Sequence, residues 1–325
     1  MRAWTVMEIG EPEDVLQLRT AQEPDLGPGE VKIRVEAAAV NFFDNLLCRG
    51  TYQEHPPLPF TPGAEVAGRV VAAGDGARLK EGQRVLATPA LPRGGWAEMV
   101  CVTAESAYEI PEAMTMAEAA ALFINYQTAR YSLRRANLRR GDVLLVHAGA
   151  GGVGSAAIQL GAAAGARVIA TAGGPEKGEI CRQQGAEIAV DYLREDFSQV
   201  VKDATGGRGA DVVFDPVGGD VTDLSRKCIA PEGRILIIGF AGGRVAQIPA
   251  NHMLVKNYDV VGIHWGLWRR LQPHGVDEAH EAIVRAYARG EIHPLVGRVC
   301  PFEDAPKALA ALTARETWGK VVLQV

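Results

Sequence analysis

The chain of 325 residues is poor in cysteine and in net positive charge, and both shortages exclude classes of protein. Its five cysteines are widely spaced and never form a Cys-x-x-Cys pair, so we expect neither a disulfide framework nor a structural zinc site. The net charge of −5 argues against nonspecific binding to nucleic acid or to an anionic membrane surface, because both attract a basic face. This cysteine usage favours the reducing cytoplasm.

Long apolar runs are also missing, although hydrophobic residues make up 47% of the chain. The most apolar stretch, 155–172, is interrupted by Gln159, Gly161, Gly165 and Arg167, which makes it a poor candidate for a membrane span. The first residues lack the apolar core of a signal peptide. The length predicts two domains, since about 150 residues per domain is usual.

Glycine is abundant instead, and about half of the 37 glycines fall within 141–174 and 206–243. Before residue 118, short apolar runs are separated by Pro-Gly turns, which predicts a mostly antiparallel β domain. From 125 to 266, strong strands alternate with helical segments, the pattern of a parallel α/β sheet. We predict strands at 143–147, 167–171, 211–215, 234–239 and 260–264, then a helix at 276–289 and a terminal strand at 320–325.

The strand predicted at 143–147 leads directly into a glycine-rich turn and then an apolar helix. Gly149, Gly151 and Gly154 satisfy the pattern Gly-x-Gly-x-x-Gly. In this pattern the first glycine permits a sharp turn, the second lets a pyrophosphate approach the helix N-terminus, and the third lets the helix pack on the sheet. The turn predicts a dinucleotide-binding Rossmann domain; the alternative is a turn that binds nothing. The residues expected around the phosphates are Gly149, Ala150, Gly151, Gly152, Val153 and Gly154.

The end of the second strand indicates which dinucleotide is bound. NAD-selective sites place an acid there for the ribose 2′-hydroxyl, whereas this chain has small residues as far as Gly174, followed closely by Lys177. That combination favours NADPH, because a 2′-phosphate is tolerated and attracted there. The alternative is that Glu176 is the displaced acid and Lys177 is a solvated residue at a helix start.

Loops at the carboxyl ends of the later strands are expected to complete the cofactor site, as in other sheets of this type. Val217 and Phe240 follow two of these strands, and His264 ends the strand where the nicotinamide should lie. Asp215 also ends a strand, but beside a proline it is more typical of a cap or turn residue than of a catalytic acid.

Five segments together resemble one family; they include Ala-Val-Asn-Phe-Phe-Asp at 39–44 and Trp-Gly-Lys at 318–320. With 59–68, 147–154 and 214–219, they resemble the zinc-independent quinone oxidoreductases (zeta-crystallin-like) of the medium-chain dehydrogenase/reductase superfamily. The resemblance implies an α/β fold, with a Rossmann doubly wound parallel sheet at 125–266. It also implies a mostly β, co-chaperonin-like (GroES-like) catalytic domain built from 1–124 and 267–325, and a homodimer joined through the last Rossmann strands.

The chain departs from the zinc-dependent alcohol dehydrogenase branch of that superfamily at the metal-binding positions. Asn41 stands where that branch has a zinc-binding cysteine, and Ala64 stands where it has a zinc-binding histidine. The four close cysteines of its structural zinc lobe are absent as well. Because zinc needs thiolate and imidazole ligands, we expect no metal, and we expect Glu65 to be paired with another polar group.

The resemblance also implies roles for individual residues. Asn41 would hold the substrate or the nicotinamide, Tyr52 would donate to the acceptor carbonyl, and Thr128 would lie near the nicotinamide. Each has a structural alternative: a turn or cap for Asn41, and packing for Tyr52 and Thr128. The other implied cofactor-binding residues are Lys177, Tyr192 and Arg315, as a grip on the 2′-phosphate with a surface location as the alternative, and Lys320.

The missing metal narrows the expected chemistry. Reduction of an isolated carbonyl concentrates charge on one oxygen, which a metal ion stabilises, whereas a quinone or an α,β-unsaturated carbonyl spreads that charge, so hydrogen-bond donors suffice. We expect an NADPH-dependent oxidoreductase that transfers a hydride to a small-molecule quinone or other conjugated carbonyl. The alternatives are an enone or enoyl-thioester reductase and a non-catalytic NADPH-binding protein.

Overall fold

A computed structural model describes residues 1–325 and contains fifteen strands and eleven helices. The strands are β1 (Arg2–Val6), β2 (Leu16–Thr20), β3 (Glu30–Val40), β4 (Val66–Ala73), β5 (Arg84–Ala87), β6 (Met99–Thr103), β7 (Ala107–Glu109), β8 (Val143–Val146), β9 (Arg167–Ala172), β10 (Ile188–Asp191), β11 (Ala210–Asp215), β12 (Ile229–Ile237), β13 (Asp259–Gly262), β14 (Val296–Pro301) and β15 (Lys320–Gln324). The helices are α1 (Pro12–Val15), α2 (Phe42–Cys48), α3 (Met116–Arg135), α4 (Gly152–Ala163), α5 (Pro175–Gln183), α6 (Phe197–Ala204), α7 (Gly219–Cys228), α8 (Ala250–Lys256), α9 (Trp265–Leu271), α10 (Pro273–Ala288) and α11 (Ala305–Thr313). Every one of these helices is too short or too polar to span a lipid bilayer.

The chain forms two compact units, of which the first combines Met1–Ile124 with Pro294–Val325. Its main sheet has the strand order β14-β15-β3-β4-β5-β7, and β6 pairs with β3. All pairs in this sheet are antiparallel except β14 with β15. The core lies against this sheet and includes the fully buried Phe60, Trp96 and Phe302. The predicted mostly β, GroES-like domain is therefore confirmed.

The second unit, Asn125–His293, contains a six-stranded sheet of order β10-β9-β8-β11-β12-β13. All its pairs are parallel. β8 is buried along its whole length, as expected for a central parallel strand covered on both faces. The order reverses between β8 and β11, and ligands bind at such a switch point in doubly wound sheets. The predicted Rossmann sheet is confirmed, and β10 is a strand that the sequence prediction did not place.

The chain returns from the second unit to the first after His293, whereas the sequence pattern predicts this boundary after residue 266. Contacts of α9 and α10 with α3 account for this difference. The rings of Trp268 and Tyr131 stack with centroids 4.5 Å apart, and the Gln127 side-chain nitrogen donates to the Val276 carbonyl at 2.9 Å. These contacts tie residues 267–293 to the second unit, a long-range effect that local patterns do not reveal.

Candidate functional site

The turn between β8 and α4 is held mainly by backbone hydrogen bonds. The Gly149 N–H donates to the Thr171 carbonyl, and the Gly151 N–H donates to the Ala148 carbonyl, each at 2.9 Å. Ala148 has the left-handed φ of the turn, +50°, and Gly149 does not. The expectation that the first glycine provides the sharp turn is therefore wrong, because the neighbouring alanine adopts that conformation.

The glycines of this turn instead differ in what a side chain would meet. A Cβ on Gly149 would lie 2.8 Å from Cys181 Sγ, and one on Gly154 would lie 2.2 Å from the Ala148 carbonyl oxygen. Close packing thus requires both glycines. A Cβ on Gly151 would meet only the Ala148 oxygen, at 3.2 Å, so the space beside Gly151 is open. Gly151 is the N-cap of α4, and the first backbone N–H groups of a helix are suited to bind a phosphate.

The other residues of the loop support the same arrangement. Ala150 is buried, and a Cβ on Gly152 would lie 2.7 Å from the Asn125 side-chain nitrogen. Val153 occupies the first turn of α4. Gly149, Gly152 and Gly154 are therefore packed tightly against their surroundings, whereas Gly151 is not.

A buried histidine beside this loop links the end of β8 to β9 and α7. His147 Nδ1 lies 3.0 Å from the Thr171 hydroxyl, and its Nε2 lies 2.8 Å from the Ser225 hydroxyl. Because the Ser225 hydroxyl donates to the Val221 carbonyl, its oxygen accepts from Nε2–H, and Nδ1 accepts from Thr171. Burial lowers the pKa of His147 to about 4, so the imidazole is neutral near pH 7. His147 was not among the predicted site residues, although it is the polar residue that ends an apolar strand.

Asp215, at the end of β11, organises the next loop. Its carboxylate accepts from the backbone N–H groups of Val217 and Gly218, both at 2.9 Å, and from the Thr222 hydroxyl at 2.5 Å. The prediction of a cap rather than a catalytic acid is confirmed. Phe240 lies beside this loop, because a Cβ on Gly218 would be 2.8 Å from its ring.

The loop after β9 has the features expected of a 2′-phosphate site. Gly174 has a φ of +87° and is the N-cap of α5, whose first turn contains Lys177. A Cβ on Gly173 would lie 2.9 Å from the Tyr192 hydroxyl, and nothing lies within 4 Å of one on Gly174. The structure thus brings the glycine loop and Tyr192 together.

The acid that holds this loop was missed from the sequence. Asp191 Oδ1 accepts from the Gly174 N–H at 2.9 Å and from the Leu193 N–H at 3.1 Å. Asp191 ends the short strand β10, whose four residues Ile188–Asp191 are too few to give a clear periodic signal. One oxygen of its carboxylate is thus occupied by backbone donors of the loop, and the other lies 3.7 Å from Arg194 Nε.

Three further residues of the prediction belong to other elements than these loops. Thr128 is in α3, where its carbonyl accepts from the Ser132 hydroxyl at 2.6 Å. His264 is exposed and precedes α9, two residues after β13. Arg315 belongs to the first unit and has a φ of +61°.

The first unit contains a buried cluster around Asn41, the N-cap of α2. The Lys320 ammonium lies 2.5 Å from Asn41 Oδ1 and 2.5 Å from Glu65 Oε1. Asn41 Nδ2 donates to the same Glu65 oxygen at 3.2 Å. The other Glu65 oxygen accepts from the Ile124 N–H at 2.8 Å. The expectation that Glu65 is paired is confirmed, and Lys320 is its partner.

Asp44 fixes the backbone beside this cluster. Its carboxylate accepts from the N–H groups of Asn41, at 2.8 Å, and Gly63, at 3.2 Å. Burial raises the pKa of Asp44 to about 7 despite these donors and the nearby Lys320. Asp44 thus ties the backbone at Asn41 to the backbone at Gly63, the residue before Ala64.

Tyr52 lies in the first unit against the ring of Phe43, with centroids 5.5 Å apart and planes inclined by 25°. The side chain is partly buried against the core. Burial raises the pKa of the Tyr52 hydroxyl, with smaller contributions from Glu54 and Asp44, which keeps the phenol protonated. The ring thus has a packing role, and its hydroxyl keeps a proton that it can donate.

Two family models match the chain. The model described as alcohol dehydrogenase GroES-like domain matches residues 27–112, and the model described as zinc-binding dehydrogenase matches residues 152–281. The first match falls in the first unit and the second falls in the second unit.

Similar proteins extend over nearly the whole chain. Quinone oxidoreductase-like protein 2 of Bos taurus is 38% identical over 301 residues, which cover 92% of this chain and 86% of that protein. A quinone oxidoreductase of Pseudomonas aeruginosa is 34% identical over 97% of this chain and 96% of its own length. The solved structure of the quinone oxidoreductase from Thermus thermophilus, reported also in complex with NADPH, is 36% identical, with a TM-score of 0.87 and full coverage of both chains.

Proposed function

The chain belongs to the zinc-independent quinone oxidoreductases of the medium-chain dehydrogenase/reductase superfamily, and on that premise we propose that it reduces a quinone or another conjugated carbonyl with NADPH. The single observation that carries the proposal is the phosphate cradle at Gly151. That glycine is open on one side and caps a helix of twelve residues, whereas Gly149 and Gly154 are closed by packing.

The loop after β9 supports NADPH over NADH. No acid ends β9, where Ala172 stands, and Gly173 and Gly174 follow it. Tyr192 lies beside Gly173, Lys177 is in the first turn of α5, and Oδ1 of the nearby Asp191 accepts from two backbone N–H groups. A 2′-phosphate would therefore meet a cation and a hydroxyl at a helix start. The Thermus thermophilus relative was solved with NADPH. We propose that Arg315 also binds the 2′-phosphate. Lys320 is proposed to support the part of the site that holds the cofactor.

NADPH supplies the hydride when it is bound. The chain's own residues would then bind the acceptor and manage charge on its oxygen: Asn41 donates through its side-chain amide, and Tyr52 donates through its hydroxyl. Thr128, Val217, Phe240 and His264 are proposed to contact the nicotinamide half. Amide and hydroxyl donors suit a quinone or enone, because conjugation spreads the charge that an isolated carbonyl would concentrate.

An acceptor panel tests the reaction. Purified protein with NADPH should reduce benzoquinone or phenanthrenequinone, followed by loss of NADPH absorbance. Preferential turnover of an enone or an enoyl thioester would assign the activated-alkene alternative instead. Tight NADPH binding without turnover of any acceptor would indicate a non-catalytic binding protein and would contradict the proposal.

The cofactor preference is tested at Lys177. We expect Lys177→Ala to lower the NADPH/NADH ratio of kcat/KM by about tenfold or more, since a hydrogen bond to a charged group contributes about 1.5–3 kcal/mol and about 1.4 kcal/mol is a factor of ten. Lys202→Ala, another lysine of the same unit on α6, is the matched control. An unchanged ratio would remove Lys177 from the 2′-phosphate site.

We also propose that the protein is a homodimer paired through β13. This strand lies at the edge of the six-stranded sheet and pairs only with β12, so one row of its backbone groups is available for another strand. Leu254 and Val255, on the preceding α8, are 81% and 79% exposed. Leu254 and the β13 residue Asp259 line the same surface concavity. An apolar surface continuous with an unpaired strand suits a second copy of the chain.

The oligomeric state decides this point. Light scattering should give the mass of a dimer for the wild-type protein and of a monomer for Leu254→Glu. Leu193→Glu, which changes another exposed leucine, should stay dimeric. A monomeric wild-type protein would overturn the dimer.

We also propose a cytoplasmic setting. The five cysteines are unpaired, and burial raises the pKa of Cys48, Cys181 and Cys228 to about 12.

A further inference from the structure

The buried cluster of Asn41, Glu65 and Lys320 contains more charge than a structural contact needs. The three residues come from distant parts of the chain and are only 6%, 1% and 4% exposed. Burying an ion pair removes two charges from water, and such pairs are often no more stabilising than apolar residues of similar size. The pair therefore calls for an explanation other than stability.

The geometry around Asn41 supplies one. A carboxamide has nearly the same shape when it is flipped, but Oδ1 only accepts hydrogen bonds and Nδ2 only donates them. Lys320 has only donors and lies at Oδ1, whereas Glu65 has only acceptors and lies at Nδ2. A flip would put the ammonium against N–H groups and the carboxylate against an oxygen. The ion pair thus fits one of the two orientations of the Asn41 amide.

Other contacts restrict the remaining freedom of the cluster. Asp44 holds the backbone N–H of Asn41, and the Ile124 N–H binds the second oxygen of Glu65. The Asn41 Nδ2 group carries two hydrogens, and Glu65 accepts one of them. The structure gives the other hydrogen of Nδ2 no protein partner. The cluster therefore fixes the direction of this N–H group, and the group remains available to donate a hydrogen bond.

We propose that Glu65 and Lys320 are positioning residues, which hold the Asn41 amide in one orientation so that its second Nδ2–H donates to the oxygen of a bound ligand. The inference rests on the proposed function, in which Asn41 contacts the acceptor or the nicotinamide. Lys320 then acts through Asn41, and the ligand recognised is one that presents a carbonyl oxygen to a fixed N–H donor.

A double-mutant cycle on turnover tests the dependence on Asn41. We expect Asn41→Ala and Lys320→Met each to lower kcat by about tenfold or more, and the double variant to be no slower than Asn41→Ala within about twofold, because one residue acts through the other. The Kd for NADPH, measured by its fluorescence, should change much less than kcat. Effects that multiply in the double variant would overturn the positioning role.

Matched variants control for folding and charge. Lys307→Met, on a lysine whose side chain is 84% exposed, should leave kcat unchanged. Where Lys320→Met does not fold, Glu65→Gln replaces it in the cycle, since this variant keeps the shape and removes the charge. The same non-additivity with Asn41→Ala is expected for Glu65→Gln.

A second readout does not depend on turnover. In protein labelled with ¹⁵N-asparagine, six side-chain amide pairs are expected, and the Asn41 pair is assigned by its loss in Asn41→Ala. Lys320→Met should shift or broaden that pair, whereas Lys307→Met should not. An unchanged Asn41 signal in Lys320→Met would refute the inference. If instead the wild-type protein reduces no acceptor, the proposed function fails, and this measurement still decides whether the pair orients Asn41.

Discussion

The two units support their candidate sites by opposite means. In the second unit the phosphate cradle is made of backbone and glycine, and the buried polar residue beside it is the neutral His147, placed between two hydroxyls. In the first unit the candidate donor Asn41 is held by full charges, the Glu65 carboxylate and the Lys320 ammonium.

The difference follows from what each site must present. Backbone N–H groups at a helix start already point along the helix axis, so a phosphate site needs only tight packing to stay in place. A side-chain amide has two orientations of similar shape, and choosing between them requires partners of opposite hydrogen-bonding character. Charge in the first unit therefore serves orientation, whereas His147, beside the glycine turn of the second unit, is placed by two hydroxyl groups.

The largest expected effect comes from breaking the charged cluster. Glu65→Leu or Lys320→Met alone should lower the free energy of unfolding by about 3–5 kcal/mol, because the remaining charge is left buried without a partner. The double variant Glu65→Leu/Lys320→Met should lose less than either single variant. Chemical unfolding at pH 7 measures the three values.

An exposed ion pair of the second unit provides the control for that comparison. Arg289 and Glu291 are 56% and 39% exposed along their side chains, and removing either should change stability by at most about 1 kcal/mol. Additive losses for Glu65 and Lys320 would mean that the buried charges do not depend on each other, which would weaken the contrast between the units.

The second prediction concerns the glycines of the uncharged site. Gly154→Ala should lower stability by roughly 1–3 kcal/mol, because its Cβ would lie 2.2 Å from a backbone oxygen that cannot move freely. Gly151→Ala should leave stability nearly unchanged, since its Cβ would meet a single atom at 3.2 Å. It should nevertheless weaken NADPH binding by about tenfold, or 1.4 kcal/mol.

Thermal unfolding and NADPH titration of the same two variants check this prediction. If Gly151→Ala binds NADPH as tightly as the wild-type protein, the phosphates do not approach at Gly151. If Gly154→Ala is as stable as the wild-type protein, the close packing of α4 on the loop is not a constraint.

The sequence predicted those parts of the molecule that depend on neighbouring residues. The strand, glycine turn and helix around Gly151 are contiguous, so their order and spacing identified the Rossmann unit. The cap at Asp215 was also predicted, because its partners Val217 and Gly218 are two and three residues away. In these cases the local pattern contained all the contacts that decide the structure.

The missed features depend on residues far apart in the chain. Asn41 and Lys320 are separated by 279 positions, so their contact could not be derived from spacing. His147 and Ser225 are separated in the chain by three strands, β9, β10 and β11, and each alone resembles an ordinary core residue. Asp191 was overlooked because β10 has only four residues, too few for a clear periodic signal.

The smallest expected effect is an opposite pH dependence of the two clusters. The pKa of Asp44 is raised to about 7, so the folded state binds more protons than the unfolded state above pH 3.8, and this contribution to stability is lost as the pH rises towards 7. The pKa of His147 is lowered to about 4, so its contribution is present above pH 6.5 and is lost as the pH falls towards 4. Each group changes the slope of stability against pH by at most about 1.4 kcal/mol per pH unit.

Urea unfolding between pH 4.5 and 6.5 should therefore give Asp44→Asn a steeper gain in stability with rising pH than the wild-type protein, and His147→Asn a shallower one. His55→Asn, at an exposed histidine, should run parallel to the wild-type curve; parallel curves for all three variants would mean that neither buried group retains its shifted pKa, and the contrast between a charged and a neutral cluster would lose its electrostatic basis.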